Sequence, residues 1–456
     1  MTATRTLTDS FGSVELPSEA LWGVQTARCL QFFAIGTQAM PAEIIQALAL
    51  IKGAAASVNA QLGLLDKTKA QAIENAAARI AEGGQAMAFP LSVWQTGSGT
   101  QSNMNVNEVI ASLAAQSGVM LHPNDDVNLG QSSNDVFPAA LHIAALRLLH
   151  SLLLPSLESL HQALRDQAAA FKDLIKIGRT HLQDATPITL GQEFGGYAAQ
   201  LALCQDSIRQ ALDALLALPL GGTAVGTGLN THAEFGARTT GLLARQLALP
   251  LRQASNLFAG IAGHEAIVAL HASLRMLAIA LIKIGNDIRL MGSGPRAGLG
   301  ELLLPQNEAG SSIMPGKVNP TQIEALCMVC MQVMGHDVAI GLAASQGHFE
   351  LNTCKPLIGL NLLDSIRLLG DAMQGFRQHC VAGLEPHLEQ LERNVQRSLM
   401  LVTALSPHIG YDRAAQIAKH AQQKDCSLRE AAQALGLVRA EQFDAWVDPR
   451  QMLGPG

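Results

Sequence analysis

The feature that most restricts this chain is a recurrence of apolar residues at intervals of three and four over stretches longer than a usual globular helix. Within 254–291, Ile267, Leu270, Leu274, Leu277, Leu281 and Ile284 fall on one line of an α-helix. The same spacing runs through 138–172 and 190–216. These segments predict helices of about 25 to 35 residues, against a mean of about 11 to 12 in globular proteins. Helices of that length pack with one another in an elongated bundle and turn their remaining apolar faces toward other subunits.

Composition supports an all-α (mainly helical) class. The 456 residues are 48% hydrophobic, 15% charged and only 4% aromatic, so alanine and leucine, rather than large rings, must build the core. A net charge of -6 without a basic cluster gives no electrostatic footprint for nucleic acid. The seven cysteines, Cys29, Cys204, Cys327, Cys330, Cys354, Cys380 and Cys426, are odd in number and scattered. They form no disulfide framework, and a reducing, cytoplasmic setting is expected. Cys327 and Cys330 lie in an apolar helical run and read as core. The opening MTATRTLTDSFGSVELP has no apolar stretch long enough for a secretory signal. The longest uncharged runs, such as 214–233, are broken by Pro219 and several glycines, so no membrane partner is expected.

Three regions follow one another along the chain. Residues 1–131 mix turn-rich stretches with helices at 42–62 and 66–82. Residues 132–354 carry the long helices. Residues 355–456 are more charged and form a small C-terminal helical domain with helices near 412–423 and 427–435.

The segments that interrupt the helices carry the chemistry. Thr96-Gly97-Ser98-Gly99-Thr100-Gln101-Ser102-Asn103 lies in an uncharged stretch between Glu82 and Glu108. It offers neutral donors and, with a helix starting near Met104, a first turn of free N–H groups to an anion; an ordinary capped Gly/Ser loop is the other reading. Gln131-Ser132-Ser133-Asn134-Asp135 precedes Pro138 and a long helix, a helix-start signature that capping explains only in part. His122-Pro123-Asn124-Asp125-Asp126 reads as a turn rather than a metal site. In Gly178-Arg179-Thr180-His181-Leu182-Gln183-Asp184, His181 is either a satisfied structural histidine or a general acid-base group. Gly310-Ser311-Ser312-Ile313-Met314-Pro315-Gly316-Lys317-Val318-Asn319-Pro320 is a glycine-bounded loop with two hydroxyls, one cation and one amide, leading into a helix from about Thr321. It lacks the spacing and the Ser or Thr after lysine of a phosphate loop, and no G-x-G-x-x-G occurs elsewhere. Glu324 reads either as the end of a Thr321-x-x-Glu324 capping box or as the carboxylate partner of a histidine.

At this loop the chain resembles the aspartase/fumarase superfamily, whose signature is GSSIMPGKVNP. With LWGVQTARCLQ, TGSGTQSNMNVNEVI, QSSND, KIGRTHLQDATPITLGQEF, LGGTAVGTGLNTH and LVTALSPHIGYDRAAQIAK, it resembles class II fumarases along nearly its whole length. The resemblance implies a three-domain fold, a homotetramer with a central twenty-helix core, and four active sites that each take residues from three chains. It also implies reversible hydration of fumarate to L-malate without a metal or organic cofactor. By position, Ser311 matches the family's catalytic base, Lys317 and Asn319 its carboxylate ligands, Thr180 and His181 its threonine-histidine pair, and Glu324 the partner of that histidine. Ser98, Thr100, Ser132, Ser133 and Asn134 match the remaining substrate donors. His122, Asn124 and Asp125 match a second carboxylate site, where Asp126, Leu129 and Gly130 depart from the family's histidine, lysine and serine.

Two other functions compete. Aspartate ammonia-lyases share the fold and the loop but carry Ser-Thr-Asn at Ser132-Ser133-Asn134 and glutamine at His181. A catalytically inactive homologue kept for structure or binding is disfavoured by the presence together of Ser311, Lys317, His181 and Glu324.

Overall fold

In the computed structural model, which describes residues 3–455, the chain begins with a hairpin, β1 (Thr4–Asp9) and β2 (Gly12–Pro17), paired antiparallel. Then come helices α1 (Val24–Phe32), α2 (Ala42–Gln61), α3 (Lys67–Ala81), α4 (Thr100–Gln116), α5 (Ser133–Leu148) and α6 (Leu154–Ala170). A second hairpin, β3 (Ile175–Thr180) and β4 (Gln183–Thr189), leads into α7 (Leu190–Leu215), α8 (Phe235–Leu247), α9 (Leu257–Ala262), α10 (Glu265–Met291), α11 (Thr321–Ala344) and α12 (Lys355–His379). Five shorter helices close the chain: α13 (Leu388–Arg397), α14 (Ser406–Ile409), α15 (Tyr411–Lys424), α16 (Leu428–Ala434) and α17 (Ala440–Trp446). The predominantly helical fold agrees with the sequence reading, and both hairpins are additions to it.

The helix ends follow local chemistry. Asp66 accepts from the N–H groups of Thr68 and Lys69 and starts α3. Ser132 and Asp135 form a capping box at α5, and Ser427 and Glu430 another at α16. Two long segments depart from expectation. The stretch anticipated from 138 begins at Ser133, carries Pro138 inside α5, and continues through a π-helical turn at Leu149–Leu153 to Ala170. The stretch 254–291 is interrupted, because Gly263 takes an extended conformation and closes α9 before α10 starts.

The chain forms two compact units, each assembled from separated segments. The first comprises 1–155, 204–278 and 329–371. Here α2 packs against α3, α5 and α8, with Ile44, Leu48 and Ile51 wholly buried, and Ala55, Val58 and Phe235 form a further apolar cluster. The second comprises 156–203, 279–328 and 372–456. Its core joins Ile177 of β3 to Leu405, Ile417 and Ala431 of the C-terminal helices.

An ion network in this second unit fixes the base of the β3–β4 hairpin. Glu301, with no exposed surface, receives both guanidinium nitrogens of Arg179 at 2.7 and 3.0 Å and the amide of Asn394 at 3.0 Å. Lys176 lies 3.3 Å from the same carboxylate and 2.7 Å from Glu193. Burial pushes the Glu301 carboxyl up, but Arg179 and Lys176 outweigh it and hold the group below its ordinary range.

The apolar stripe of α10 is buried from Ile267 to Ile284, as its spacing predicts. By contrast α11 leaves Met328, Met331, Met334, Val338 and Leu342 exposed, one side of the helix at intervals of three and four. This corrects the reading of uncharged runs alone: by length and composition three helical stretches, Ser133–Ala170, Glu265–Met291 and Thr321–Ala344, are apolar enough to cross a membrane. They differ in what covers them, since the apolar window of the first is 78% buried within the chain and that of the third only 28%.

Candidate active site

The hydroxyl cluster is built where two helices begin. Ser98 and Ser133 are buried, and Thr100 lies between them, its oxygen 2.7 Å from each of theirs. Thr100 is the first residue of α4 and Ser133 the first of α5. Two helix N-termini, with their unsatisfied N–H groups and positive dipole ends, therefore converge on one chain of hydroxyls. A cavity of about 400 Å³ opens there, lined by Thr100, Asn103, Asn124, Ser132 and Ser133, with Thr223 and Asn230 from the segment before α8. Its lining is neutral and rich in hydrogen-bond donors, which suits an anionic ligand.

Glycine makes this loop possible. A Cβ on Gly97 would lie 1.3 Å from the Thr353 carbonyl oxygen, and one on Gly99 would enter the Phe137 ring. The Gly97 carbonyl accepts from the Lys355 N–H at 2.9 Å, so the hydroxyl loop is bonded to the start of α12.

Below the cavity, Asp135 serves three partners. One carboxylate oxygen accepts from the Ser132 N–H, the other from the N–H groups of Gly221 and Thr223, each at 3.0 Å. Burial pushes this carboxyl up to about 6, against its N–H donors and the opposite charge of Lys52. Burial likewise lowers the Lys52 ammonium to about 7, with Asp135 opposing. Asn134 donates to the Ala224 carbonyl at 2.8 Å and ties the start of α5 to the same segment.

Thr180, His181, Ser311, Lys317, Asn319 and Glu324 belong to the second unit. Thr180 and Gln183 pair across the β3–β4 hairpin, which leaves His181 and Leu182 as its two-residue tip, exposed and with φ of 56° and 61°. A left-handed backbone at two consecutive side-chain-bearing residues costs free energy, and such strain concentrates where function demands a set geometry. The Gly310–Pro320 loop is closed on itself. The Gly310 N–H donates to the Lys317 carbonyl, Asn319 donates to the Gly310 carbonyl at 2.6 Å, and Ser311 accepts from the N–H groups of Ile313 and Met314. Lys317 is exposed where this loop closes against Gly310, and Glu324 is exposed on the first turn of α11. Within one chain no hydrogen bond or ion pair among the described residues joins His181 to Glu324, or either of them to Ser311.

The second carboxylate site divides. Asn124 lines the hydroxyl cavity, whereas His122 and Asp125 are exposed and engage each other, the Asp125 N–H donating to His122 Nδ1 at 3.1 Å. Asp126 takes the His122 N–H and is held by Lys69 at 2.8 Å. Asn103 and Gln131, members of the two polar clusters, also line the cavity, as do Asn128, Thr223 and Asn230, to which the sequence assigns no role. Among the described residues, no group of three or more His, Cys, Asp and Glu side chains is arranged to hold a metal ion.

Comparison with known proteins places this geometry. The profile of a lyase family, described as "Lyase", matches residues 12–335, and that of the fumarase C C-terminus matches residues 401–454. The fumarate hydratase class II of Chromobacterium violaceum is 57% identical, over 98% of this chain and 99% of its own. A crystal structure of the class II fumarase of Schistosoma mansoni superposes with a TM-score of 0.96 at 44% identity, covering 99% of both chains. The fumarate lyase:delta crystallin structure from Brucella melitensis, bound to cobalt, gives 0.95 at 40% identity over 99% of this chain and all of the other. The chain belongs to the class II fumarate hydratase family of lyases.

Proposed function

We propose that the chain catalyses the reversible hydration of fumarate to L-malate, by anti addition of water through an aci-carboxylate intermediate. The observation that carries this reading is the chain of hydroxyls Ser98, Thr100 and Ser133 at the meeting of two helix N-termini, a neutral cradle for a carboxylate. In the malate direction a C3 proton leaves beside an already anionic carboxylate, and the charge that accumulates there exists mainly in the transition state. Lys317, Asn319 and helix N–H groups stabilise it, and the same field lowers the cost of using the Ser311 alkoxide as base. His181, paired with Glu324, delivers the proton to the departing C2 hydroxyl. Ser132, Asn134 and Thr180 hold the substrate. No step in this account uses a metal or organic cofactor.

These groups stand on separate loops of one chain, and the reading therefore includes a homotetramer in which different subunits complete each site. The exposed apolar face of α11 supports it, since Met328, Met331, Val338 and Leu342 are more than half exposed and need a covering partner. The seven free cysteines fit a reducing, cytoplasmic setting. Following the ultraviolet absorbance of fumarate after adding L-malate, beside a run with L-aspartate, tests the activity. Fumarate from malate alone supports hydration, fumarate from aspartate identifies an ammonia-lyase, and loss of the malate rate in EDTA that a divalent ion restores overturns the metal-free mechanism.

A further inference from the structure

We infer that Lys52, which no part of the mechanism above uses, is a positioning residue that sets the orientation of the amides at the floor of the substrate cavity. The inference rests on the reading of that cavity as the substrate site.

Lys52 lies on α2 with no exposed surface, and its Nζ donates to Asn128 Oδ1 at 2.8 Å. The same oxygen accepts the side-chain amides of Asn103 and Asn107, each at 3.1 Å, so three donors meet on one atom. Asn128 Nδ2 turns the other way and donates to the Gln131 carbonyl at 3.1 Å. Asn103, Asn128 and Gln131 all line the cavity beside Thr100 and Ser133.

An amide side chain is nearly symmetric in shape, and its neighbours decide which end is oxygen and which is nitrogen. Near Lys52 that choice is removed. An ammonium has three donors and no acceptor, so Asn128 must present its oxygen. Asn103 and Asn107, aimed at that oxygen, must present their nitrogens. Their own oxygens are then directed elsewhere, and both Asn103 Oδ1 and Asn107 Oδ1 are buried without a partner. Buried acceptors left open are costly unless a donor arrives. That both acceptors stay open marks the amides as held by Asn128 rather than by their own best pairing, and through Asn103, Asn128 and Gln131 this orientation reaches the floor of the cavity. Burial lowers this ammonium to about 7 while Asp135, facing it from α5, opposes the loss of its proton, so the orientation is enforced in the protonated form of Lys52. A lysine outside the cavity thus fixes which ends of the amides its floor presents.

A double-mutant cycle tests this with Lys52→Met, Asn128→Leu and the pair together, in the full-length enzyme, with kcat and KM measured for L-malate and oligomeric state checked by light scattering. Each single change is expected to raise KM for malate at least about tenfold and to alter kcat less than about threefold. Because Lys52 acts through Asn128, the double mutant should show the KM of either single mutant rather than the product of their effects. Asn128→Leu alone leaves a buried charge unpaired, so adding Lys52→Met should restore stability while leaving KM raised, a separation that a merely structural role does not produce. An unchanged KM in Lys52→Met, or multiplicative effects in the pair, overturns the inference. If Lys52→Met fails to fold, Asn128→Leu and the double mutant carry the test, and a KM near wild type in either overturns it. The wild-type rate on malate tests the functional reading separately: if it is absent, that reading fails and this inference falls with it.

Discussion

The hydroxyl of Thr100 lies 2.7 Å from that of Ser133, thirty-three residues further along the chain, and each belongs to the first turn of its own helix. Neither hydroxyl caps its helix. Gly99 is the residue before α4 and Ser132 caps α5, so the Thr100–Ser133 contact faces the cavity rather than serving helix formation.

Thr100→Val keeps the shape of the residue and removes the central hydroxyl, leaving Ser98 and Ser133 each short of a partner. Loss of the hydrogen bond that Thr100 gives the substrate carboxylate, worth about 1 to 1.5 kcal/mol, corresponds to roughly a tenfold rise in KM for malate with the helices retained. Steady-state kinetics and circular dichroism check both halves of this statement.

Ser311→Ala should lower kcat by at least about a hundredfold, the scale of a positioned base, with no effect on assembly. The Ser311 hydroxyl accepts only two N–H groups of its own exposed loop, so the fold does not depend on it. Retention of more than about a tenth of the wild-type kcat would assign the base to another residue.

Mixed tetramers of Ser311→Ala and His181→Asn chains test whether sites are shared between subunits. Each mutant alone should be nearly inactive. Co-expressed, random assortment should restore up to roughly a quarter of wild-type activity, because some sites draw an intact Ser311 from one chain and an intact His181 from another. Hybrid tetramers no more active than their parents would place both residues in one chain.

Glu301→Ala should cost about 3 kcal/mol of unfolding free energy, since it strands Arg179 inside the second unit and leaves Lys176 with Glu193 alone. The urea midpoint measures it. The same change should lower activity in the remaining folded fraction, because β3, which carries both Arg179 and Lys176, leads directly to Thr180 and His181.

Burial lowers the His142 imidazole from 6.5 to about 4, while its Nδ1 bonds the carbonyls of Leu215 and Ala217. His264 is lowered further, to about 3, by burial first and then by the charge of Lys355. Above pH 6.5 both states hold these rings neutral and nothing is at stake. As the pH falls from 6.5 toward 4 the unfolded chain takes up protons that the folded chain refuses, and stability declines, by about 3 kcal/mol for His142 once its folded value is passed. Urea unfolding at pH 7 and pH 5 should show this loss, and His142→Asn should reduce it.

Much of this was legible before the coordinates. The 3.6-residue stripe marks α10 and its buried face, and the polar cluster Gln131–Asp135 marks a helix start near α5, because both signals are local in sequence, though that helix begins at Ser133 rather than at the expected 138. The β3–β4 hairpin was not legible. Its turn residues, His181 and Leu182, are neither Gly nor Asn, so no turn signal marks the two consecutive left-handed positions. Nor was the reach of Asp135 to Gly221 and Thr223, some 86 and 88 residues away, since nothing in an aspartate's neighbourhood announces a distant partner. The exposed face of α11 escaped for a third reason: composition shows that a helix is apolar, but only packing shows which side is left uncovered.

Gly97 decides how much order the hydroxyl cradle still has to gain when a ligand arrives. With its Cα seated against the Thr353 carbonyl, the segment bearing Ser98 and Thr100 shares its motion with the backbone ahead of α12. The hydroxyls therefore lose their conformational freedom when the chain folds and have little left to lose when substrate arrives.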